Sequence, residues 1–275
     1  MMAEKFSVLM SLYYKEKPEN LRQCLDSLLN QTVLPDEITI VKDGPLTDEL
    51  EEVLKEYKDI NPDLYTFVPL ETNHGLGLAL AEGIKVCRNE LVARMDTDDI
   101  SVSNRFEKQL EVFEKDSSID ICGSHIKEFS DDPEHILSIR KVPLVHEEIY
   151  KYQKLRDGFN HVTVMFKKSK VLEAGNYQHC LLMEDTLLWA NMFMHGCKGM
   201  NIDDYLVLVR TDPSMFERRG GWGYVKKYAN GRKQVYNTGF INWLEYMYPI
   251  LVQVVFALVP NKVREFIYRK LLRKE

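Results

Sequence analysis

The sequence predicts an α/β domain on a mixed, mostly parallel sheet, and three observations carry that prediction. Short apolar runs of strand length alternate with runs of helical period from residue 6 onward. Turn-forming stretches, Asp43-Gly44-Pro45 and Asn73-His74-Gly75, punctuate the alternation. Two of the strand-like runs stop at an aspartate, Asp43 and Asp96, which puts carboxylates at the carboxyl edge of the sheet, where open α/β folds bind ligands.

Phe6–Leu12 reads as the first strand. Leu21, Cys24, Leu25, Leu28 and Leu29 follow at i, i+3, i+4, i+7 and i+8, one face of a helix. Residues 38–41 form a second strand, and the helix through Leu50, Leu54 and Tyr57 opens with Asp48, Glu49, Glu51 and Glu52, acidic where the helix dipole favours acid. A third strand over residues 64–70 leads to the Asn73-to-Gly77 turn and a helix along Leu76, Leu80, Ile84 and Cys87. The fourth strand, 91–95, stops at Asp96. A helix at Phe106, Leu110 and Phe113 comes next, then strands over 119–122 and 136–142, a helix over 146–155, a strand over 162–166, and a helix over 184–195 that closes the body.

Charge divides the chain. The 275 residues carry 36 Lys+Arg against 42 Asp+Glu, a formal net charge of −6. Residues 216–275 hold 12 basic and 4 acidic side chains, a net of +8, so residues 1–215 carry −14. An acidic body excludes a general nucleic-acid surface, which needs Lys and Arg spread along the binding face. The basic extension suits an anionic surface instead.

Residues 246–259 are a 14-residue apolar run. At ~1.5 Å per residue it reaches about 21 Å, short of the ~30 Å hydrocarbon core of a bilayer. Lys262, Arg264, Arg269, Lys270, Arg273 and Lys274 then mix with apolar residues at helical spacing, the pattern of a helix lying in a membrane interface. A helix packed back on the domain, or on a twin subunit, has the same composition. The first nineteen residues lack the uninterrupted apolar stretch of a signal peptide, so a cytoplasmic chain, peripheral on the inner face of the membrane, is expected. Cys24, Cys87, Cys122, Cys180 and Cys197 are scattered and odd in number, which reads as packed thiols rather than disulfides or zinc ligands.

Arg94-Met95-Asp96-Thr97-Asp98-Asp99 carries the clearest chemistry. Three carboxylates within four positions repel one another, and a hard divalent cation, Mg2+ or Mn2+, shared with a substrate's phosphates would relieve that repulsion. A solvated acidic turn is the plainer account of the same residues.

Taken in order, SVLMSLYYKEKPENLRQCLDSLLNQT, DEITIVKDG, NHGLGLA, RMDTDD, FNHVTVMF, MEDTLLW and RRGGW resemble a family 2 glycosyltransferase of the kind that builds bacterial capsule, exopolysaccharide or lipooligosaccharide. The likeness spans roughly residues 5–225. It implies the GT-A fold, a Rossmann-like domain that binds nucleotide sugars, with 1–215 as that domain and 216–275 as a loop and membrane-associating helical extension. It also implies metal-assisted, inverting transfer from a nucleoside-diphosphate sugar, most commonly a UDP-sugar, to a glycan or lipid-linked acceptor. Leu12, Tyr13 and Asp43 are then expected to line the nucleoside pocket, supported by Asn73 and Gly75. Arg94 is expected to approach the donor, Asp96 to touch the ribose or the metal, and Asp98 to hold the metal. Asp185 is the expected general base, Glu184 and His161 belong to the acceptor side, and Arg218, Arg219 and Trp222 form a basic-aromatic element near the diphosphate or acceptor. The form RRGGW departs from the more familiar Q-x-x-R-W, which leaves open which arginine meets phosphate. Oligomeric state is open as well.

A dehydrogenase would want G-x-G-x-x-G after the first strand, where Tyr13-Tyr14-Lys15-Glu16 stands. A sugar-nucleotide nucleotidyltransferase would want a glycine-rich phosphate loop in the same place. A non-catalytic membrane-bound scaffold is the remaining alternative, and it predicts no dependence on Asp98 or Asp185.

Overall fold

The computed structural model describes residues 4–211 and 221–258. Within them one sheet of nine strands runs in the order β3-β2-β1-β4-β8-β6-β9-β5, with β7 paired to β6. Its first half is parallel: β1 (Phe6–Leu12) lies between β2 (Glu37–Lys42) and β4 (Leu91–Arg94), and β3 (Tyr65–Pro69) forms the edge beyond β2. The chain goes to one side of β1 for β2 and β3 and to the other for β4, which makes the β1/β4 boundary a topological switch point. The second half is mixed. Here β8 (Met165–Lys167) pairs antiparallel with β4 and with β6 (Ile121–Phe129). Long β9 (Gly199–Arg210) runs parallel to β6, and short β5 (Ile100–Ser101) and β7 (Ser138–Arg140) pair antiparallel with β9 and β6.

Apolar cores cover both faces of the sheet. Along β1 the side chains alternate: Phe6, Val8, Met10 and Leu12 join one core, while Leu9 joins the other. The first core packs α1 (Pro18–Leu29), α2 (Asp48–Ile60) and α4 (Arg105–Lys115) on the sheet, with the Phe6 and Phe106 ring centroids 4.8 Å apart. The second packs α3 (Leu76–Val86), α5 (His146–Gln153), α6 (Lys168–Glu173) and α7 (Glu184–Met194) around fully buried Trp189. All five cysteines are free and buried, as their spacing predicts.

Helix α3 reaches the sheet through Gly83. A Cβ there would stand 2.4 Å from Leu9 Cδ1 and 2.6 Å from Val41 Cγ2. Gly83→Ala is therefore expected to destabilise the fold by about 1–3 kcal/mol of overpacking, in spite of alanine's better helix propensity. A urea midpoint that falls checks this; a midpoint that rises would show that β1 and β2 yield.

After the body, α8 (Gly221–Asn237) packs on α7, and α9 (Trp243–Leu258) packs on α8. Phe240 and Ile241, between these two helices, enter the second core, and the Phe240 ring lies 5.0 Å from Tyr150 and 5.8 Å from Phe193. Arg232 of α8 is buried and donates to the carbonyls of Lys154 at 2.8 Å and Glu245 at 2.5 Å. The start of the extension is thus sewn to the body. One face of α9 behaves differently: Leu244, Tyr248, Leu251, Val255 and Leu258, spaced four, three, four and three apart along its length, are 56–69% exposed. Among the described residues no helix is long and apolar enough to cross a membrane.

Candidate functional site

The carboxyl ends of β1, β2 and β4 supply three loops that the chain ties to one another. Asp43, just past β2, is buried, and its carboxylate accepts the backbone N–H of His74 at 2.7 Å and of Gly75 at 3.0 Å, with Asn73 Nδ2 also at 3.0 Å. Asp43, Asn73 and Gly75, expected to share a pocket, thus form one hydrogen-bonded unit. The turn needs glycine at two points. Gly75 has φ +85 as it opens α3; Gly44 has φ +87, and a Cβ on it would meet Asn73 N at 2.9 Å. Of the pair expected at the end of β1, Leu12 turns its side chain into the core and gives its carbonyl to the Asp43 N–H at 2.7 Å, while Tyr13 stands 41% exposed.

Glu16, which the sequence reading did not single out, joins the loop after β1 to the acidic turn, where Thr97 Oγ1 donates to its Oε2 at 2.8 Å. Within that turn each carboxylate has a separate environment. Asp96 receives both terminal nitrogens of Arg94, a fork of two parallel bonds. Asp99 is buried and accepts the backbone N–H of Arg210 at 2.7 Å, while the Arg210 guanidinium donates to the Asp98 carbonyl at 3.1 Å. Through these bonds the end of β9 is fastened to the turn, a short step before residues 212–220, in which Arg218 and Arg219 fall; both lie outside the described residues. Burial, then Asp96, then Glu16 push the Asp98 carboxyl above the usual carboxylate range. Burial, then Asp98 and Asp96, do the same to Asp99.

Arg94 is almost wholly buried beneath this turn, and among the described residues its Nε has no hydrogen-bond partner. Its backbone carbonyl accepts Arg105 Nη2 at 2.7 Å. Arg105 in turn bonds Gln109, whose amide donates to the carbonyls of Cys122 at 3.1 Å and Thr163 at 2.8 Å. This buried chain fixes the ends of β4, β6 and the 3-10 turn His161–Thr163 against one another.

The start of α7 also comes within reach of the Arg94 charge. Gly77 lets it approach, since a Cβ there would meet Glu184 Cβ at 2.8 Å. Met183 is the N-cap of α7 and makes no capping bond through its side chain, so Asp185 is not the helix cap. One Asp185 oxygen accepts the Thr186 N–H at 2.8 Å. Burial, then Asp157, then Glu184 raise the Asp185 carboxyl well above the usual range, with Arg94 opposing. Glu184 is raised by burial too. His161 joins the group through Tyr177: His161 Nε2 and Tyr177 Oη are 2.8 Å apart, and their rings lie against each other. Burial, then Arg94, hold His161 well below its ordinary value, so it stays neutral near pH 7. Trp222, in the first turn of α8, is 59% exposed.

The structure therefore brings Asp96, Asp98, Glu184, Asp185 and His161 into the electrostatic field of Arg94. Tyr177, Asp157, Glu16 and Arg210 were missed by sequence reasoning. Of these, Glu16 alone carried a signal, its place in the loop directly after β1.

This sheet, with its switch point between β1 and β4 and acid on the loops there, is the GT-A architecture of glycosyltransferases. Solved structures of that architecture superpose on it. TarS residues 1-349 of S. aureus in complex with UDP gives a TM-score of 0.59 at 17% identity, covering 96% of this chain and 71% of that one. The mannosyltransferase PcManGT of Pyrobaculum calidifontis, in complex with GDP-Man and Mn2+, gives 0.64 at 14% identity, covering 94% and 71%. The sequence model of Glycosyl transferase family 2 matches residues 7–173, and the chain belongs to that family. The amylovoran biosynthesis glycosyltransferase AmsE of Erwinia amylovora is 41% identical over 272 residues, 96% of this chain and 98% of the relative. The UDP-Gal:alpha-D-GlcNAc-diphosphoundecaprenol beta-1,3-galactosyltransferase of Escherichia coli is 37% identical over 271 residues, 98% and 97%.

Proposed function

We propose that this glycosyltransferase moves a sugar, with inversion, from a nucleoside-diphosphate sugar to a glycan or lipid-linked acceptor in the assembly of a cell-surface polysaccharide. The observation that carries the reading is the buried Arg94 guanidinium, forked to Asp96 in the acidic turn and close enough to Glu184 and Asp185 at the start of α7 to act on both carboxyls. One group suits the donor diphosphate and the other the acceptor hydroxyl. Relatives support the substrate classes: the E. coli enzyme is named for a UDP-sugar donor and a lipid-diphosphate acceptor, and TarS has been solved with UDP-GlcNAc.

In this reading the Asp43-Asn73-Gly75 unit shapes the nucleoside side of the pocket, with Tyr13 at its mouth. Arg94, aligned by its fork to Asp96, faces the donor. Asp185 accepts the proton of the attacking hydroxyl from the side opposite the leaving group, so one displacement inverts the anomeric carbon with no covalent intermediate. His161, neutral and held by Tyr177, and Glu184 border the acceptor, and Arg218, Arg219 and Trp222 are assigned to the diphosphate end and its surroundings.

The donor set fits a hard divalent ion. Among the described residues no three His, Cys, Asp or Glu side chains converge to hold a metal alone. Oxygens of a bound ligand would have to complete the shell, as is usual for Mg2+. Asp98, with Asp96, would hold Mg2+ or Mn2+, which when bound supplies charge stabilisation for the departing diphosphate. A panel of UDP-, GDP- and dTDP-sugars, assayed for release of the nucleoside diphosphate with and without EDTA, tests the reading; the absence of any metal-dependent release would overturn it.

Residues 1–215 would hold this chemistry together with Arg218, Arg219 and Trp222, and the rest of 216–275 would seat the enzyme on the inner face of the cell membrane. The exposed apolar stripe of α9, followed in sequence by six basic residues from Lys262 to Lys274, supports that assignment. Cutting the chain at 240 would open the core at Phe240 and Ile241, so point changes test it more cleanly. Leu251→Glu with Val255→Glu is expected to move the protein from anionic vesicles to the supernatant in sedimentation while leaving its melting temperature in place. Unchanged sedimentation would remove α9 from the membrane.

A further inference from the structure

Asp157 lies in the loop after α5, outside every motif that identified the active site. Its Oδ1 accepts the Thr186 hydroxyl at 2.5 Å and the Gln153 amide at 3.3 Å. Thr186 is buried in the first turn of α7, one residue after Asp185. The loop that presents Asp157 is itself fixed. Gln153 is fully buried and its Oε1 accepts the Gly158 N–H at 2.7 Å, Arg140 Nη2 donates to the Asp157 carbonyl at 2.9 Å, and Gly158 lies so close to Ile149 that a Cβ would meet its Cγ2 at 2.9 Å.

These bonds call for an oxygen acceptor, and the amide of an asparagine would serve both donors equally well. A carboxylate here is repelled by Glu184 and Asp185 and drawn by the buried Arg232 of α8, so its charge acts on the first turn of α7 as well as on α8.

We propose, on the reading of Asp185 as proton acceptor, that Asp157 is a positioning residue for it: its Oδ1 holds the Thr186 hydroxyl and so fixes the first turn of α7, which brings the Asp157 carboxylate to the turn that carries Asp185 one residue before Thr186. The surroundings of Asp185 are otherwise Glu184 from its own helix, Arg94 from β4, and Tyr177 and Cys180 from the segment leading into α7. From α8, Tyr228 and Arg232 face Asp157 itself. Arg94 favours the ionised form of Asp185, and Asp157 with Glu184 favours the protonated form. A carboxylate that holds its proton more firmly is a stronger base when it ionises, which suits it to taking a hydroxyl proton near neutral pH.

The two halves of the proposal separate by mutation. Asp157→Asn keeps the acceptor for Thr186 and removes the charge. It is expected to move the acid limb of the kcat/KM profile to lower pH, to reduce kcat on the plateau, and to leave donor Kd unchanged. Thr186→Val keeps the charge and removes the bond. It is expected to lower kcat about ten- to a hundredfold through misplacement of Asp185, with the limb and the donor KM unmoved, and Thr186→Ser should restore the rate. The assays use the UDP- or GDP-sugar that the donor panel turns over, with water as acceptor if no glycan acceptor is used. A limb that stays in place in Asp157→Asn overturns the charge role, and a Thr186→Val enzyme with wild-type kcat overturns the positioning role. If Asp185→Asn itself retains transfer, the reading of the base fails; if that variant is inactive while both outcomes above are negative, this inference alone fails.

Discussion

Asp185→Asn is expected to lower kcat for sugar transfer by ~10²–10⁴-fold, the range typical for removal of a general base. The substitution is chosen for what it preserves. An asparagine oxygen can still accept the Thr186 N–H, so the first turn of α7 keeps its bond. Met183 is the N-cap, so helix capping is untouched as well. What disappears is the group that takes the hydroxyl proton. Donor Kd, read by titration calorimetry with the nucleoside diphosphate, is expected to stay put, because none of the donor contacts assigned above lies on α7. The pH profile gives an independent check. Asp185 is raised above the roughly 3.9 of a free aspartate by burial, Asp157 and Glu184. It works only when ionised, so the wild-type rate should fall as pH drops through that raised value, at a higher pH than an unburied carboxylate would give. An Asp185→Asn enzyme with full transfer activity would sink the assignment of the base.

The parallel half of the sheet was legible because its strands are short apolar runs bounded by turn chemistry, and its helices show i, i+3, i+4 faces that the structure buries. Leu21, Cys24, Leu25 and Leu28 are all fully buried. Legibility fell where tertiary pairing overrode local pattern. The strand expected over 162–166 divides into the 3-10 turn His161–Thr163 and β8, because the Thr163 hydroxyl bonds the Asn160 carbonyl at 2.8 Å and turns the chain before it joins β4. Strand β9 was not read at all. Asn201, Asp203 and Asp204 interrupt its apolar run, and its pairing to β6 is irregular around Ser124 and His125. The site divides in the same way. Asp43, Asp96, Asp98 and Asp185 sit at the ends of predicted elements and could be named from sequence. Tyr177, Asp157 and Arg105 could not, since their partners, His161, Thr186 and the Arg94 carbonyl, are 16, 29 and 11 residues away in the chain and meet them through packing alone.

Asp98→Asn is expected to lower metal-dependent donor turnover by about 10²-fold or more, since it removes the carboxylate assigned to the ion that stabilises the diphosphate. The neighbours in the turn serve as internal controls, because their geometry differs. Asp99 is committed to the Arg210 N–H, and an asparagine there would still accept that bond. Asp99→Asn should therefore keep the end of β9 in place and cost less activity than Asp98→Asn. Asp96 is committed to Arg94, and Asp96→Asn should loosen the guanidinium as well as the metal shell, raising donor KM together with the metal requirement. The distinguishing signature of Asp98→Asn is a raised Mn2+ concentration for half-maximal UDP or GDP release, with the fold intact, because an asparagine oxygen can still accept a backbone hydrogen bond and the backbone carbonyl still receives Arg210. If Asp98→Asn and wild type show the same Mn2+ titration, the acidic turn is a structural knot closed by Arg94 and Arg210, and the charge that relieves its repulsion is theirs rather than that of an ion.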